Sequence, residues 1–351
     1  MDVNKIVTFF EESFLKDLLA NDKVTDISYN GQDIFYVHND FGRQKSEISI
    51  DKQSAKDFIR QIANISEKQF SYTNPELDVS FGRYRFNALH QTICRKNNEE
   101  SVCFSIRIAS SSLRFAENNS LSEEVEELLR VLIDSNVSIV IGGLTGSGKT
   151  ELQKYLISLM KENTRAIVID NILELDQIHI KQVLDLNIWQ VDDKRPNASI
   201  ENLVRNALRS NPDWLIVAES RGKEMLDVLN SSLTGHPIIT TLHALDVQSM
   251  PHRMVRMVMM NEQKMAFEDV FGDISYHMRF YIYLKRKYTA NGVVKRYISS
   301  ISYLKGEEME EIYGSDGENK KYGLLCDDAI KLLDLNQVSN KFKVAFIGGN
   351  K

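Results

Sequence analysis

Apolar residues at helical spacing (Phe9, Phe10, Phe14, Leu15 and Leu18) predict a helix over residues 8–20. Alternating runs at 25–29 and 34–37 flank Asn30-Gly31, a turn signal, and predict paired strands. Helical spacing returns at 51–65 through Ala55, Phe58, Ile59 and Ile62. Residues 79–89 alternate, with Phe81, Arg83, Arg85 and Asn87 on one face and Tyr84, Phe86 and Ala88 on the other. A strand at 103–108 sets Phe104 and Ile106 against Ser105 and Arg107. Together these elements predict a small α+β domain over 1–110, apolar on one sheet face and rich in arginine on the other.

The polar stretch 111–120 predicts a linker. Ser120 and Glu123 have capping-box spacing and predict a helix through Val125, Leu128, Leu129 and Leu132. Short apolar strands at 137–141, 166–169, 214–217 and 238–241 then alternate with helical stretches at 151–161, 200–210 and 222–232. That order predicts an α/β domain over 121–351 with a mostly parallel, doubly wound sheet. Two alternating runs around Asn291-Gly292 predict a closing hairpin at 279–305, and the acidic stretch 306–321 a solvated loop. Met250, Met254 and Met257, followed by Met259, Met260 and Met265, predict a core or subunit-contact face.

The 351 residues suit two domains, and 42% hydrophobic with 26% charged residues is a globular balance that excludes disordered and fibrous classes. With 43 basic against 49 acidic residues the formal charge is -6, so a dedicated duplex-DNA binder is disfavoured and nucleic-acid contact is not indicated. No run approaches the ~20 apolar residues that span a bilayer, and the start lacks a signal-peptide pattern. Cys94, Cys103 and Cys326 have no paired metal-ligand spacing and read as free thiols of a reducing compartment.

Chemistry concentrates at Gly143-Leu144-Thr145-Gly146-Ser147-Gly148-Lys149-Thr150, which fits the phosphate-binding P-loop pattern between an apolar strand and a helix. Its glycines let backbone N–H groups close on phosphate oxygens at a helix N-terminus. Lys149 is expected to reach the β- and γ-phosphates of ATP, and the Thr150 hydroxyl to ligate Mg²⁺, with Glu151 following in the binding segment. A carboxylate beside the γ-phosphate is also needed, and ligands of such sheets sit at the carboxyl ends of strands. Glu219 is therefore expected to polarise the attacking water, and Glu174 to serve Mg²⁺ or its water shell. His243 lies just past the strand at 238–241, while Asp213 starts its strand and reads as a turn or packing residue. Arg83, Arg85 and Arg107 are candidates to stabilise charge on a transferring phosphate.

In this order the segments resemble the secretion ATPase superfamily of type II and type IV secretion, type IV pili and Flp/Tad pili. Val24-Thr25-Asp26-Ile27-Ser28 opens the resemblance, followed by an arginine strand (Gly82 to Asn87) and a second arginine position (Phe104 to Arg107). Ile169 to Leu175 is similar to the family's Asp box, 208–224 to its Walker B segment, and Thr234 to His236 with Thr240 to Ala244 to its His box. The closing hairpin is most similar to the type IV secretion and Flp/Tad branch. Two positions depart, since Asp170-Asn171 stands where Glu-Asp is usual and Ala218 where glycine is usual. Three scattered cysteines do not match the zinc module of the type II branch. The resemblance implies a RecA-like ATPase domain, Mg²⁺-dependent ATP hydrolysis and a homohexamer. It further implies a cytoplasmic location at the inner face of the membrane, held by platform or secretion-channel proteins. A RecA-like nucleic-acid translocase or helicase shares the core and is the alternative.

Overall fold

A computed structural model describes residues 2–110, 113, 115, 121–171, 175, 184–192 and 195–348. Contacts divide the chain into Met1–Ser111 with Tyr288–Val294, and Ser112–Lys287 with Lys295–Lys351. The grouping of 288–294 with the first unit differs from the expected division, which kept 121–351 together.

In the first unit, β1 (Val24–Tyr29), β2 (Ile34–His38), β3 (Gly42–Lys45), β4 (Glu76–Phe81) and β5 (Tyr84–Leu89) precede a short ribbon of β6 (Arg95–Lys96) and β7 (Glu99–Glu100), and β8 (Cys103–Ile108) follows. The main sheet is antiparallel throughout, in the order β3-β2-β1-β8-β5-β4. Helices Val3–Glu11 and Lys52–Ile65 bury Phe10, Phe58, Ile59 and Ile62 with Phe86 and Phe104 of one sheet face.

Two expectations change here. The helix predicted at 8–20 is instead Val3–Glu11 followed by Lys16–Leu19. The Ser13 hydroxyl donates to the Phe10 carbonyl and accepts from Leu15 N–H, taking backbone groups that a continuous helix needs. Residues 79–89 are not one strand. Gly82 (φ +50) and Arg83 turn the chain between β4 and β5, so Phe81 and Tyr84 pair and are both buried. Arg83 therefore sits in the turn, and only Arg85 lies on the strand face beside Asn87.

In the second unit, β9 (Ile139–Gly143), β10 (Arg165–Asp170), β11 (Asp185–Gln190), β12 (Trp214–Val217), β13 (Ile238–Leu242) and β14 (Phe280–Tyr288) pair in parallel. The sheet runs β11-β10-β12-β13-β9-β14 and continues through β15 (Val294–Lys305), β16 (Glu308–Ser315) and β17 (Lys320–Tyr322). Alternate strand residues enter two cores. Ile139, Ile141, Val168 and Ile216 pack with the helices Glu123–Asp134 and Lys149–Ser158 on one face. Val140, Ile167, Leu215 and Val217 pack with helices Met225–Leu233 and Ser249–Val258 on the other. Burial on both faces explains why these strands read as continuous apolar runs.

The helix after the linker starts at Glu123 with Ser122 as its N-cap, so Glu123 occupies the first turn and not the third capping position; Ser120 lies outside the described residues. The stretch expected as an acidic loop forms β16 and β17 instead, with Ile312 and Tyr313 buried. Met250, Met254 and Met257 are core residues, whereas Met259 and Met260 are exposed. Among the described residues no helix is long and apolar enough to cross a membrane.

Candidate functional site

The P-loop leaves β9 at the carboxyl edge of the sheet, where β9 lies between β13 and β14. Gly143 (φ +152) must be glycine, because a Cβ there would meet the Leu284 carbonyl at 2.7 Å and crowd the Ser147 hydroxyl. Gly148 (φ +99) caps the helix Lys149–Ser158, whose first-turn N–H groups and dipole favour an anion. Lys149 Nζ donates to the Gly143 carbonyl (3.0 Å) and the Leu144 carbonyl (3.3 Å). Ser147 Oγ is buried without a hydrogen-bond partner among the described residues, in a loop whose chemistry is to hold phosphate. Thr145 and Gly146 are exposed and Thr150 is half-buried. Glu151 accepts from Lys154 Nζ at 3.0 Å, and its second oxygen is buried without a hydrogen-bond partner among the described residues.

Glu219 stands two residues past β12, and His243 one residue past β13. Their turns are sewn together: Thr241 Oγ1 donates to the Ala218 carbonyl (2.7 Å), Ser220 N–H to the Thr241 carbonyl (2.8 Å), and the Ser220 and Thr240 hydroxyls lie 2.8 Å apart. Side chains then form one line. Lys149 Nζ lies 3.3 Å from His243 Nδ1, His243 Nε2 lies 2.9 Å from Glu219 Oε1, and Arg221 Nη2 donates to Glu219 Oε2 at 2.6 Å.

The electrostatics follow from this line. Burial pushes the Glu219 carboxyl up, but Arg221, His243 and Lys149 together outweigh it and hold the group below its ordinary value. Burial and the Lys149 charge push His243 below its ordinary value, against the pull of Glu219. Ionised Glu219 beside neutral His243 is the favoured state.

Three supports were not foreseen in the sequence. Gln153 is fully buried and its Nε2 donates to the Val217 carbonyl (3.1 Å), tying the P-loop helix to β12. Glu224 accepts from the N–H groups of Arg221 (2.5 Å) and Gly222 (2.9 Å), fixing the turn that carries Arg221. Arg296 Nε donates to the Gly146 carbonyl at 2.9 Å. Each joins positions distant in sequence or hidden in a turn, so local pattern carries no signal for it.

The remaining candidates are elsewhere. Glu174 lies outside the described residues. Asp213 pairs with the Arg165 backbone at the start of β12, as a turn residue would. His236 precedes β13 and so lies at the opposite strand end from His243, contacting Thr234. Arg83, Arg85 and Arg107 belong to the first unit. There Arg83 donates to the Leu19 carbonyl and to Tyr84, Arg85 holds Asp78 through two nitrogens (3.0 and 3.3 Å), and Arg107 faces Asp26.

No cluster of three His, Cys, Asp or Glu side chains that could hold a metal ion occurs among the described residues. Thr150 offers one hydroxyl oxygen where the P-loop motif puts a ligand for Mg²⁺ carried on a nucleotide, and phosphate and water would supply most of the rest.

A family model described as Type II/IV secretion system protein matches residues 85–272, from β5 through the P-loop and both turns. An uncharacterized protein of Bacillus anthracis is 27% identical over 350 residues, spanning 93% of this chain and 77% of that one. The conjugal transfer protein TrbB of Rhizobium radiobacter is 26% identical over 204 residues, spanning 56% of this chain and 59% of that one. The ATPase DotB of Legionella pneumophila shares the fold, with a TM-score of 0.65 at 21% identity over 85% of this chain and 81% of that chain. The family match covers more than half of the chain and takes in the loop, the lysine, the glutamate and the histidine that the fold brings together, so this chain belongs to the Type II/IV secretion system protein family.

Proposed function

We propose that the chain is an ATP-hydrolysing motor of a type IV secretion or pilus assembly machine, working as a homohexamer at the inner face of the cytoplasmic membrane against platform or secretion-channel proteins. Family membership supports this reading, as do the relatives described as a conjugal transfer protein and an ATPase. The observation that carries the hydrolytic part is the line Lys149–His243–Glu219 at the strand ends beside the P-loop.

The backbone N–H groups of 143–150 cradle the phosphates, and Lys149 leaves its carbonyl acceptors to meet the β- and γ-phosphates. Thr150 would hold Mg²⁺, with Glu174 near its water shell, and the ion would supply charge neutralisation at the phosphates. Glu219 orients a water in line with the γ-phosphate, and His243 positions both Lys149 and Glu219. Arg83, Arg85 and Arg107 stabilise the charge that develops on the transferring phosphate.

Phosphate release in Mg²⁺-ATP tests this directly. Lys149→Ala abolishes turnover and nucleotide binding together. Glu219→Gln keeps ATP binding and slows turnover by on the order of a hundred- to ten-thousand-fold, the usual effect of removing a positioned base. Turnover within about threefold of the unmodified chain in the Glu219 variant removes that residue from the base role.

A further inference from the structure

The P-loop carries two arginines for which neither the motif nor the proposed mechanism has a use. β14 pairs with β9 so that Leu284 lies opposite Gly143, which brings Arg286 beside the loop. A Cβ on Gly146 (φ +74) would lie 2.8 Å from Arg286 Nη1. Arg296, from β15, donates Nε to the Gly146 carbonyl at 2.9 Å, and its Cδ would lie 3.5 Å from a Cβ on Gly148. The Ser147 N–H donates to the Leu144 carbonyl (3.2 Å), so the Gly146–Ser147 peptide is held at both ends. Two guanidiniums thus converge on the glycine span of an anion-binding loop.

Its pairing distinguishes Arg286 from the arginines that are neutralised by a neighbour. Arg83, Arg85, Arg107, Arg165, Arg205 and Arg221 each face a carboxylate. No carboxylate pairs with Arg286 among the described residues, although it is exposed and next to a loop that concentrates positive potential. A cation kept there against the repulsion of Lys149 and the helix dipole points to an anionic ligand. Position narrows the ligand further. β9 separates β14 from β13 and β12, whose ends carry His243 and Glu219. The arginines approach from the side away from the hydrolytic groups, toward the phosphates that ADP and ATP share.

We propose that Arg286 and Arg296 form a clamp from within the same unit for the α- and β-phosphates of a nucleotide, Arg286 by contact and Arg296 as a positioning residue acting through the Gly146 carbonyl. This rests on the P-loop being a nucleotide site. The two new arginines serve ADP and ATP alike, in contrast to Arg83, Arg85 and Arg107, which are assigned to the γ-phosphate.

Titration of the full chain with fluorescent ADP and ATP analogues tests the clamp. Charge-assisted contacts of this kind predict that Arg286→Ala with Arg296→Ala weakens both nucleotides equally, by about ten- to a hundredfold, with a shallower salt dependence. Arg296→Gln, which keeps an N–H donor without charge, recovers part of the affinity lost in Arg296→Ala; no recovery assigns Arg296 to charge alone and overturns its positioning role. Arg286→Ala removes an exposed side chain, so its weaker ADP binding is readable even if an Arg296 variant folds poorly. ADP affinity within about twofold in the double variant, with Lys149→Ala abolishing binding, overturns the clamp, as does a loss confined to ATP. Unaltered ADP binding in Lys149→Ala overturns the nucleotide reading itself.

Discussion

His243 sits between a cation and an anion, and that placement decides its tautomer. Nδ1 faces the Lys149 ammonium and accepts, which leaves the proton on Nε2 toward Glu219. Protonation of Nδ1 would set imidazolium against ammonium, so burial and Lys149 both favour the neutral ring. For a histidine whose folded value lies below its ordinary 6.5, the stabilising contribution is complete above 6.5 and is lost as pH falls from there through the folded value. Glu219 acts in the same direction only near and below its own ordinary 4.5, because its ionised form is the one the fold favours. Thermal melts between about pH 7 and 5.5 should therefore fall more steeply for the unmodified chain than for His243→Gln. Parallel melting curves would show that His243 does not titrate against Lys149. The ring is partly exposed, so the difference is small.

Residues whose placement was legible in the sequence were those positioned locally. The P-loop is a contiguous pattern, and Glu219 and His243 announce themselves by following apolar strands. Gln153, Glu224, Arg286 and Arg296 do not, because what each touches is decided by sheet order. Arg83 shows the opposite failure. The alternation at 79–89 continues through a two-residue turn, since Phe81 and Tyr84 are buried on either side of it, and only Gly82 signalled the break.

Among elements, the parallel strands were readable because burial on both faces leaves apolar runs bounded by polar turns. The edge elements were not. β16 carries Glu308, Glu310 and Glu311 on a strand whose core contribution is Ile312 and Tyr313, so acidity masked the pattern. The last helix, Asn340–Phe346, is too short to show periodicity, yet Phe342 and Phe346 are fully buried in the core that contains Val125, Leu128 and Leu132. Its start is fixed by Glu127, which accepts from Ser339 N–H and Oγ at 2.6 Å each. Phe342→Ala should cost about 3–5 kcal/mol in urea unfolding, the usual price of deleting a buried ring. Val344→Ala, two residues away and 67% exposed, should change stability by about 0.5 kcal/mol or less. Equal effects from the two would mean that the C-terminal helix does not pack as part of the core.

At the scale of the whole molecule, the proposed hexamer draws its support from family membership and not from the methionine face, because Met250, Met254 and Met257 are consumed by the core. Large apolar side chains that remain uncovered include Leu245, Met260 and Tyr276, at 79%, 63% and 67% exposure, each on or next to an element of the ATPase unit. Such exposure is common singly but is also what a subunit contact would cover. Light scattering in Mg²⁺-ATP should give six subunits for Glu219→Gln, which holds ATP without consuming it and keeps the nucleotide-bound form populated. The proposed ring carries a kinetic expectation, since in a closed ring each subunit's opening after hydrolysis would pass to its neighbours as rigid-body motion. If one stalled subunit arrests the others, mixing Glu219→Gln into unmodified chain should depress turnover far more than dilution does. At equal proportions, independent subunits retain about half of the activity, whereas an all-or-none ring of six retains about 2 per cent. Mixing before assembly and measuring phosphate release against mole fraction distinguishes the two. A straight line through half activity would leave the chain an ATPase whose subunits do not work together, and would sink the motor reading without touching the site.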